Sequence, residues 1–271
     1  MKNYPIILIA LVIVGSAAWL WLNPSSDGQG VVDKATRLLG VDTNPLPDFQ
    51  QYPNVNAKKQ AFFDYLGPII ATNNQQINEQ RARIAAVAVA AKNNAGDFAH
   101  LNSADQRFLT AMIERYEVDP EMPLKQQLVA LLLRVDTIPV SLALTQAAME
   151  SAWGTSRFAT EGNNLFGQWC YEQGCGLVPR NRGAGQKHEV ARFASVNAAV
   201  SSYMRNINSH YAYADLRAAR AAQRALGQPV TGHDLAEHLR SYSERGIAYV
   251  EELQAMIRIN KLAPLDLRVP Q

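Results

Sequence analysis

The sequence has few cysteines and no excess of charge of one sign. Two cysteines in 271 residues exclude a disulfide-dense scaffold and a four-cysteine zinc site. Lys and Arg number 26 against 24 Asp and Glu, a formal net charge of +2. A dedicated nucleic-acid binder usually carries a basic stripe, so no nucleic-acid partner is expected. There is no His-Glu-x-x-His, no Gly-x-Ser-x-Gly elbow and no phosphate-binding Gly-Lys-Ser loop, and His233 and His238 share a helical face poorly. Neither a metal nor a cofactor is expected. Internal repeats and βαβ alternation are absent as well, which excludes a solenoid and a doubly wound sheet.

What is present is a folded chain, 48% hydrophobic and 18% charged. Its longest apolar run is Ile6 to Leu22, about 17 residues, preceded by Lys2. That length lies between a signal-peptide core and a full membrane span. Gly15-Ser16-Ala17-Ala18 would suit a signal peptidase, whereas Trp19 and Trp21 suit an interfacial belt before Asn23-Pro24. The reading favoured is an uncleaved anchor at 6–22 in the inner membrane, with the remaining chain in the periplasm. Residues 23–56, broken by Pro and Gly, read as a linker with a short helix at 31–39.

From Lys58 the apolar spacing turns helical. Phe62, Tyr65, Leu66, Ile69 and Ile70 suggest one helix; Ile77, Ile84, Val87, Ala88 and Ala91 suggest another. Ser103-Ala104-Asp105-Gln106 opens a helix over 108–116, Pro123 opens one over 124–133, and Pro139 opens one running to Trp153. Gly, Asn, Cys and Pro then crowd 160–187, with strand-like pieces at 165–171 and 190–193. Helical periodicity returns over 195–209, 212–226, 232–242 and 246–261. The fold class expected is mainly α with a small β-hairpin lobe, an N-terminal helical region at 57–135 preceding a domain at 136–271.

Chemistry concentrates at Glu150. It ends a greasy helix, where the helix dipole disfavours an anion. At helical spacing Gln146, Glu150 and Trp153 share a face. A carboxyl in such company should have a raised pKa, hold its proton near neutrality and serve as a general acid. Cys170 and Cys175, in an oxidising compartment, suit a small-loop disulfide at the hairpin tip. Arg180, Arg182, Lys187 and Arg192 are either a solvated loop or a basic surface.

Glu150-Ser151-Ala152-Trp153-Gly154, then Asn163-Asn164-Leu165-Phe166-Gly167, and later Tyr242-Ser243-Glu244-Arg245-Gly246-Ile247-Ala248-Tyr249, resemble the motifs of the glucosaminidase-type peptidoglycan hydrolases, glycoside hydrolase family 73. The resemblance covers about 130–262. It implies a lysozyme-like helical fold and cleavage of the β-1,4 bond after N-acetylglucosamine in peptidoglycan glycan strands. It implies Glu150 as the acid. Asn163, Asn164 and Phe166 would line the cleft, their amides on N-acetyl groups and the rings of Phe166 and Trp153 on sugars, with Gln146 and Tyr242 also at the substrate. Tyr249 would stand beside Glu150, holding a water or supporting an oxazolinium-like intermediate. A two-acid mechanism needs a second carboxylate. Of Glu172 and Glu189 in the hairpin, Glu189 is preferred, though neither matches the family's acid well, which leaves a route assisted by the substrate's own N-acetyl group open. The alternatives are a lytic transglycosylase giving 1,6-anhydro ends and a non-catalytic wall-binding protein.

Overall fold

The computed structural model describes residues 44–93, 98, 101–180, 182–183 and 185–267. The apolar run at 6–22 and the helix expected at 31–39 lie outside the described residues, as does most of the expected linker. Among the described residues, no helix is long and apolar enough to cross a membrane.

The first helix, α1 (Val55–Asn93), is one unbroken element where the sequence suggested two. At 1.5 Å per residue it is roughly 58 Å long. Phe62, Leu66, Ile70, Ile77, Ile84, Val87 and Ala91 form its buried stripe at spacings of three, four and seven. Pro68 sits inside it without ending it. The polar residues between the two apolar sets are part of the packing. Asn74 is buried and grips the backbone of Ile138 twice, Nδ2 donating to its carbonyl at 2.7 Å and Oδ1 accepting from its N–H at 3.0 Å. Asn73 is buried beside it and donates to Asn197 at 2.8 Å. Phe49, in the stretch expected to be linker, is also buried, its ring 5.3 Å from that of Phe62.

α2 (Ser103–Arg115) starts one residue after its cap, which is Asn102 rather than a Ser103 box. α3 (Leu124–Arg134) follows. α4 (Val140–Glu150) is buried from Val140 through Ala148. A helix apolar on every side belongs inside a core, and here α1, α8 (Gly232–Ala236) and α9 (Ile247–Ile259) pack around it. Its N-terminus meets the buried Asp266, whose carboxylate accepts from the Ser141 N–H at 2.8 Å, the Ser141 hydroxyl at 2.7 Å and the Gly232 N–H at 2.8 Å. An anion there satisfies donors that the helix itself leaves open.

After α5 (Arg157–Gly162) comes the β lobe. It is a three-stranded antiparallel sheet rather than a hairpin: β1 (Trp169–Cys170) and β2 (Gly176–Leu177) flank β3 (Glu189–Ala191). The register sets Trp169 opposite Val190 and Gly176 opposite Ala191. Cys170 and Cys175 form the expected disulfide across the turn between β1 and β2. Leu165 and Phe166, expected in a strand, are core residues of the preceding loop. α6 (Val196–Ser209), capped by the Ser195 hydroxyl, and α7 (Ala214–Ala225) return the chain to the helical body. The helix expected over 232–242 is only the five-residue α8.

Candidate active site

Glu150 is the last residue of α4 and only half-buried, because the helix stops there and its end reaches the surface of the core. The stop is written into the next four residues. The Ser151 hydroxyl donates to the Ala147 carbonyl at 2.6 Å and accepts from the Gly154 N–H at 2.7 Å. Ala152, Trp153 and Gly154 all have positive φ, of 51°, 61° and 75°. A Cβ on Gly154 would lie 2.5 Å from the Phe49 ring, so both backbone sign and space require glycine. This termination corrects one expectation. Trp153 lies outside the helix and does not share its face with Gln146 and Glu150. Its indole packs edge-on to Phe62 and Phe63, with the Lys59 ammonium 5.0 Å from the ring centre.

The Glu150 carboxyl meets α9 on one side. The Tyr249 hydroxyl donates to Oε1 at 3.1 Å. Tyr249 is itself buried and accepts from Gln146 Nε2 at 3.1 Å. Burial pushes the Glu150 carboxyl above the ordinary carboxylate range; the Tyr249 hydrogen bond and the positive charge of Arg245 oppose that rise without cancelling it. Burial and the nearby Glu150 charge also push the Tyr249 phenol far above its usual value, so it stays neutral and able to donate. Its hydroxyl hydrogen is engaged by Glu150 and one of its lone pairs by Gln146.

The other carboxyl oxygen, Oε2, faces the loop after α5. A Cβ on Gly167 would lie 3.3 Å from it, and Gly167 has φ of +64°. Gly167→Ala is expected to cost about 1–2 kcal/mol for the left-handed backbone, and to crowd Oε2 so that turnover falls at least about tenfold, the worth of roughly 1.4 kcal/mol in the barrier. Denaturant melts and turnover on the same preparation check both. Wild-type turnover would mean that Oε2 does not do the work.

Of the side chains expected at the substrate, Asn164, Phe166 and Gln146 are buried in the fold, whereas Asn163 and Tyr242 stay partly exposed. Asn164 is buried; its Nδ2 donates to the carbonyls of Gln168 and Ala191, both at 2.8 Å, and its Oδ1 accepts from the N–H groups of Phe166 and Gln168. No part of the amide remains for an N-acetyl group. Phe166 is buried and stacks on Tyr203, ring centres 4.0 Å apart, so that face is not a sugar platform. Gln146 is completely buried and cannot touch a substrate directly. Asn163 caps α5 with φ of 53° and donates to the Phe193 carbonyl at 3.0 Å. Tyr242 is half-buried; its hydroxyl donates to the Phe166 carbonyl at 3.0 Å, and its ring stacks on Tyr249 with centres 5.6 Å apart.

Glu189, expected as the second acid, is buried in the sheet with both oxygens engaged. It accepts from the Gly174 N–H at 3.0 Å and the Gly176 N–H at 2.8 Å. Those donors pull its carboxyl below the ordinary range. It holds the disulfide-bridged turn in place, which is a structural task. With Cys170 and Cys175 it makes the cluster of potential metal ligands found among the described residues, but the two sulfurs are bonded to each other, so the donor set does not suit an ion. Glu172 is exposed on the same turn.

Two residues that the sequence reading passed over stand out. Tyr203 is fully buried between Phe166 and Gln146. Trp169, two residues beyond Gly167, is 57% exposed and stacks on His188 with ring centres 4.4 Å apart. An indole in a two-residue strand directly after the Asn-Asn-Leu-Phe-Gly motif was the available signal for the second; nothing local marks the first.

Comparison with known proteins agrees with the motifs. The family described as Glucosaminidase, mannosyl-glycoprotein endo-beta-N-acetylglucosaminidase, matches residues 125–262. The chain is 34% identical to protein bax of Escherichia coli (strain K12) over 224 residues, covering 81% of this chain and 76% of that protein. No solved structure matches it. With that match lying over α4, the Gly167 loop and α9, the chain belongs to the glucosaminidase family of glycoside hydrolases.

Proposed function

We propose that the protein hydrolyses the β-1,4 bond after N-acetylglucosamine in peptidoglycan, with Glu150 as general acid. The observation that carries this reading is the Glu150 carboxyl itself, half-buried at the end of a buried helix, raised in pKa by desolvation, one oxygen held by Tyr249 and the other beside Gly167. Such a group holds its proton to higher pH than an ordinary carboxyl and can pass it to a glycosidic oxygen. With Glu189 engaged in the sheet, the substrate's N-acetyl group is the nucleophile best supported. Its carbonyl oxygen would attack C1 as the C1–O bond breaks and the Glu150 proton passes to the leaving oxygen. Water would then open the resulting oxazolinium ring, losing a proton to the Glu150 carboxylate.

Trp153, Asn163, Tyr242 and the exposed indole of Trp169 are the side chains of this region left to meet sugar rings and acetamido groups. Residues 57–135 would serve as a helical platform for the 136–271 hydrolase body. Residues 6–22 would anchor the chain in the inner membrane with that body in the periplasm, beside its glycan substrate.

Incubating the full chain with purified sacculi and analysing the released fragments by mass tests the reading. Reducing N-acetylglucosamine ends are expected. Fragments ending in 1,6-anhydro sugars would make the protein a lytic transglycosylase, and binding without release would make it a wall-binding protein.

A further inference from the structure

Behind Tyr249 lies a polar chain inside an otherwise apolar core. The Tyr203 hydroxyl on α6 donates to Gln146 Oε1 at 2.6 Å, Gln146 Nε2 on α4 donates to the Tyr249 hydroxyl on α9 at 3.1 Å, and that hydroxyl donates to Glu150 Oε1 at 3.1 Å. Gln146 and Tyr203 are both fully buried. A buried amide can sit either way round, and the two settings have opposite consequences. With nitrogen toward Tyr249, the phenol's one hydrogen is left for Glu150. With oxygen toward Tyr249, the amide takes that hydrogen and the phenol can only accept from Glu150. The distances decide between them. A separation of 2.6 Å is ordinary for O–H···O and too short for a neutral N–H···O, whereas 3.1 Å suits the nitrogen. Tyr203 therefore faces the amide oxygen.

We propose that Gln146, fixed by Tyr203, is a positioning residue that turns the Tyr249 hydrogen onto Glu150 Oε1 and so keeps the acid proton on Oε2, the oxygen beside Gly167. The inference rests on Glu150 being the acid. Oε1 is an acceptor in this setting, so the proton sits on the oxygen beside Gly167. Without the Tyr203 contact the amide can invert, and the carboxyl proton is then drawn to Oε1, pointing at Tyr249 and away from Gly167.

The groups whose charge or titration bears on this carboxyl are few among the described residues. Burial keeps Tyr213, Tyr242 and Tyr249 neutral well beyond the working range. Arg245 is paired with Glu252 at 2.7 Å. On α1, Lys59 lies over Trp153, and on α8 His233 and Asp234 pair with each other near the opposite end of α4.

The test is kcat, KM and the pH profile of kcat for Tyr203→Phe in the full chain. Expected are a kcat about tenfold lower, equivalent to about 1.4 kcal/mol in the barrier, an unchanged KM, and an alkaline limb displaced to higher pH, because a carboxylate that loses a donor holds its proton longer. In a Tyr249→Phe background the same substitution should move the limb no further. Gln146→Met, a near-isosteric apolar replacement, should displace the limb in the same direction and provides the answer if Tyr203→Phe does not fold. A folded Tyr203→Phe with wild-type kcat and pH profile overturns the proposal, as does an equal displacement with Tyr249 already removed. Retained activity in Glu150→Gln would instead overturn the underlying assignment of the acid, so the two failures are distinct.

Discussion

Glu150→Gln should lower fragment release from sacculi by about 10²- to 10⁴-fold, the usual worth of a positioned general acid, while the protein remains folded. The amide keeps the volume of the carboxyl and can still accept from Tyr249, so the surrounding packing is preserved. What it lacks is a proton to give. The same variant reports on the electrostatics through its stability. A raised folded-state pKa means that the native protein disfavours ionised Glu150 more than the unfolded chain does. The wild-type contribution of the group is then complete below the unfolded pKa of about 4.3 and is lost as pH rises through the folded pKa. The melting temperature of the variant relative to wild type should therefore be flat below about pH 4 and should climb through the range above it. A difference that falls with pH would mean that the carboxyl is stabilised as an anion, and the acid role would go with it.

Inactivation and stabilisation in one substitution separate a catalytic carboxyl from a structural one. Glu189 provides the contrast. Its two backbone donors depress its pKa, so its contribution is present above the unfolded pKa and lost as pH falls through the folded one. The two glutamates thus respond to pH with opposite sign, and the difference follows from what each carboxyl touches rather than from the residue type.

The setting of Glu150 was legible from sequence because its signal is local: an apolar helix, a glutamate at its end and a helix-stopping run directly after it. The helices were legible for the same reason, since apolar spacing of three and four needs no knowledge of distant chain. What was not legible depends on contacts between remote segments. Nothing near Glu189 announces that the amides of Gly174 and Gly176 will fold back on it. Phe166 and Asn164 sit in a motif that resembles a binding loop, yet Tyr203 covers one and the β3 backbone engages the other. Trp153 was placed on the face of Glu150 by counting residues, and the count fails because the backbone turns left-handed one residue after the cap, where Phe49 closes in on Gly154. Two apolar sets on α1 suggested two helices, while Asn73 and Asn74 between them are buried by partners more than sixty residues away.

The same dependence on remote contacts underlies the largest stability effect to be expected. Arg220→Met should destabilise the fold by about 3–5 kcal/mol, the range for removing one partner of a buried ion pair, as read from denaturant midpoints. Arg220 is completely buried on α7 and converges on the segment that leads into α4. Its Nη1 donates to the Asp136 and Thr137 carbonyls at 3.2 and 3.0 Å and to Asn208 Oδ1 at 2.8 Å; its Nη2 donates to the carbonyls of Leu133 and Arg134 at 3.3 and 3.4 Å. Its Nε lies 3.5 Å from the Asp136 carboxylate, which Arg224 grips with two bonds of 2.6 Å. Burial lowers the Arg220 guanidinium to about 10 even beside that carboxylate, so it remains charged at neutral pH. Methionine fills the space but donates to none of these acceptors; the Asp136 carbonyl keeps Asn208 Nδ2 at 2.8 Å, while the others lose the guanidinium, and each unmade buried bond is costly. Arg220→Lys should rescue little, because a single ammonium cannot reproduce a planar fork spanning five acceptors. Helix α4 runs about 15 Å from this anchor to Glu150, so the fraction of either variant that stays folded should keep a near-normal pH profile. A Met variant that unfolds at the wild-type midpoint would show that Arg224 and Asn208 hold the 133–137 segment without it.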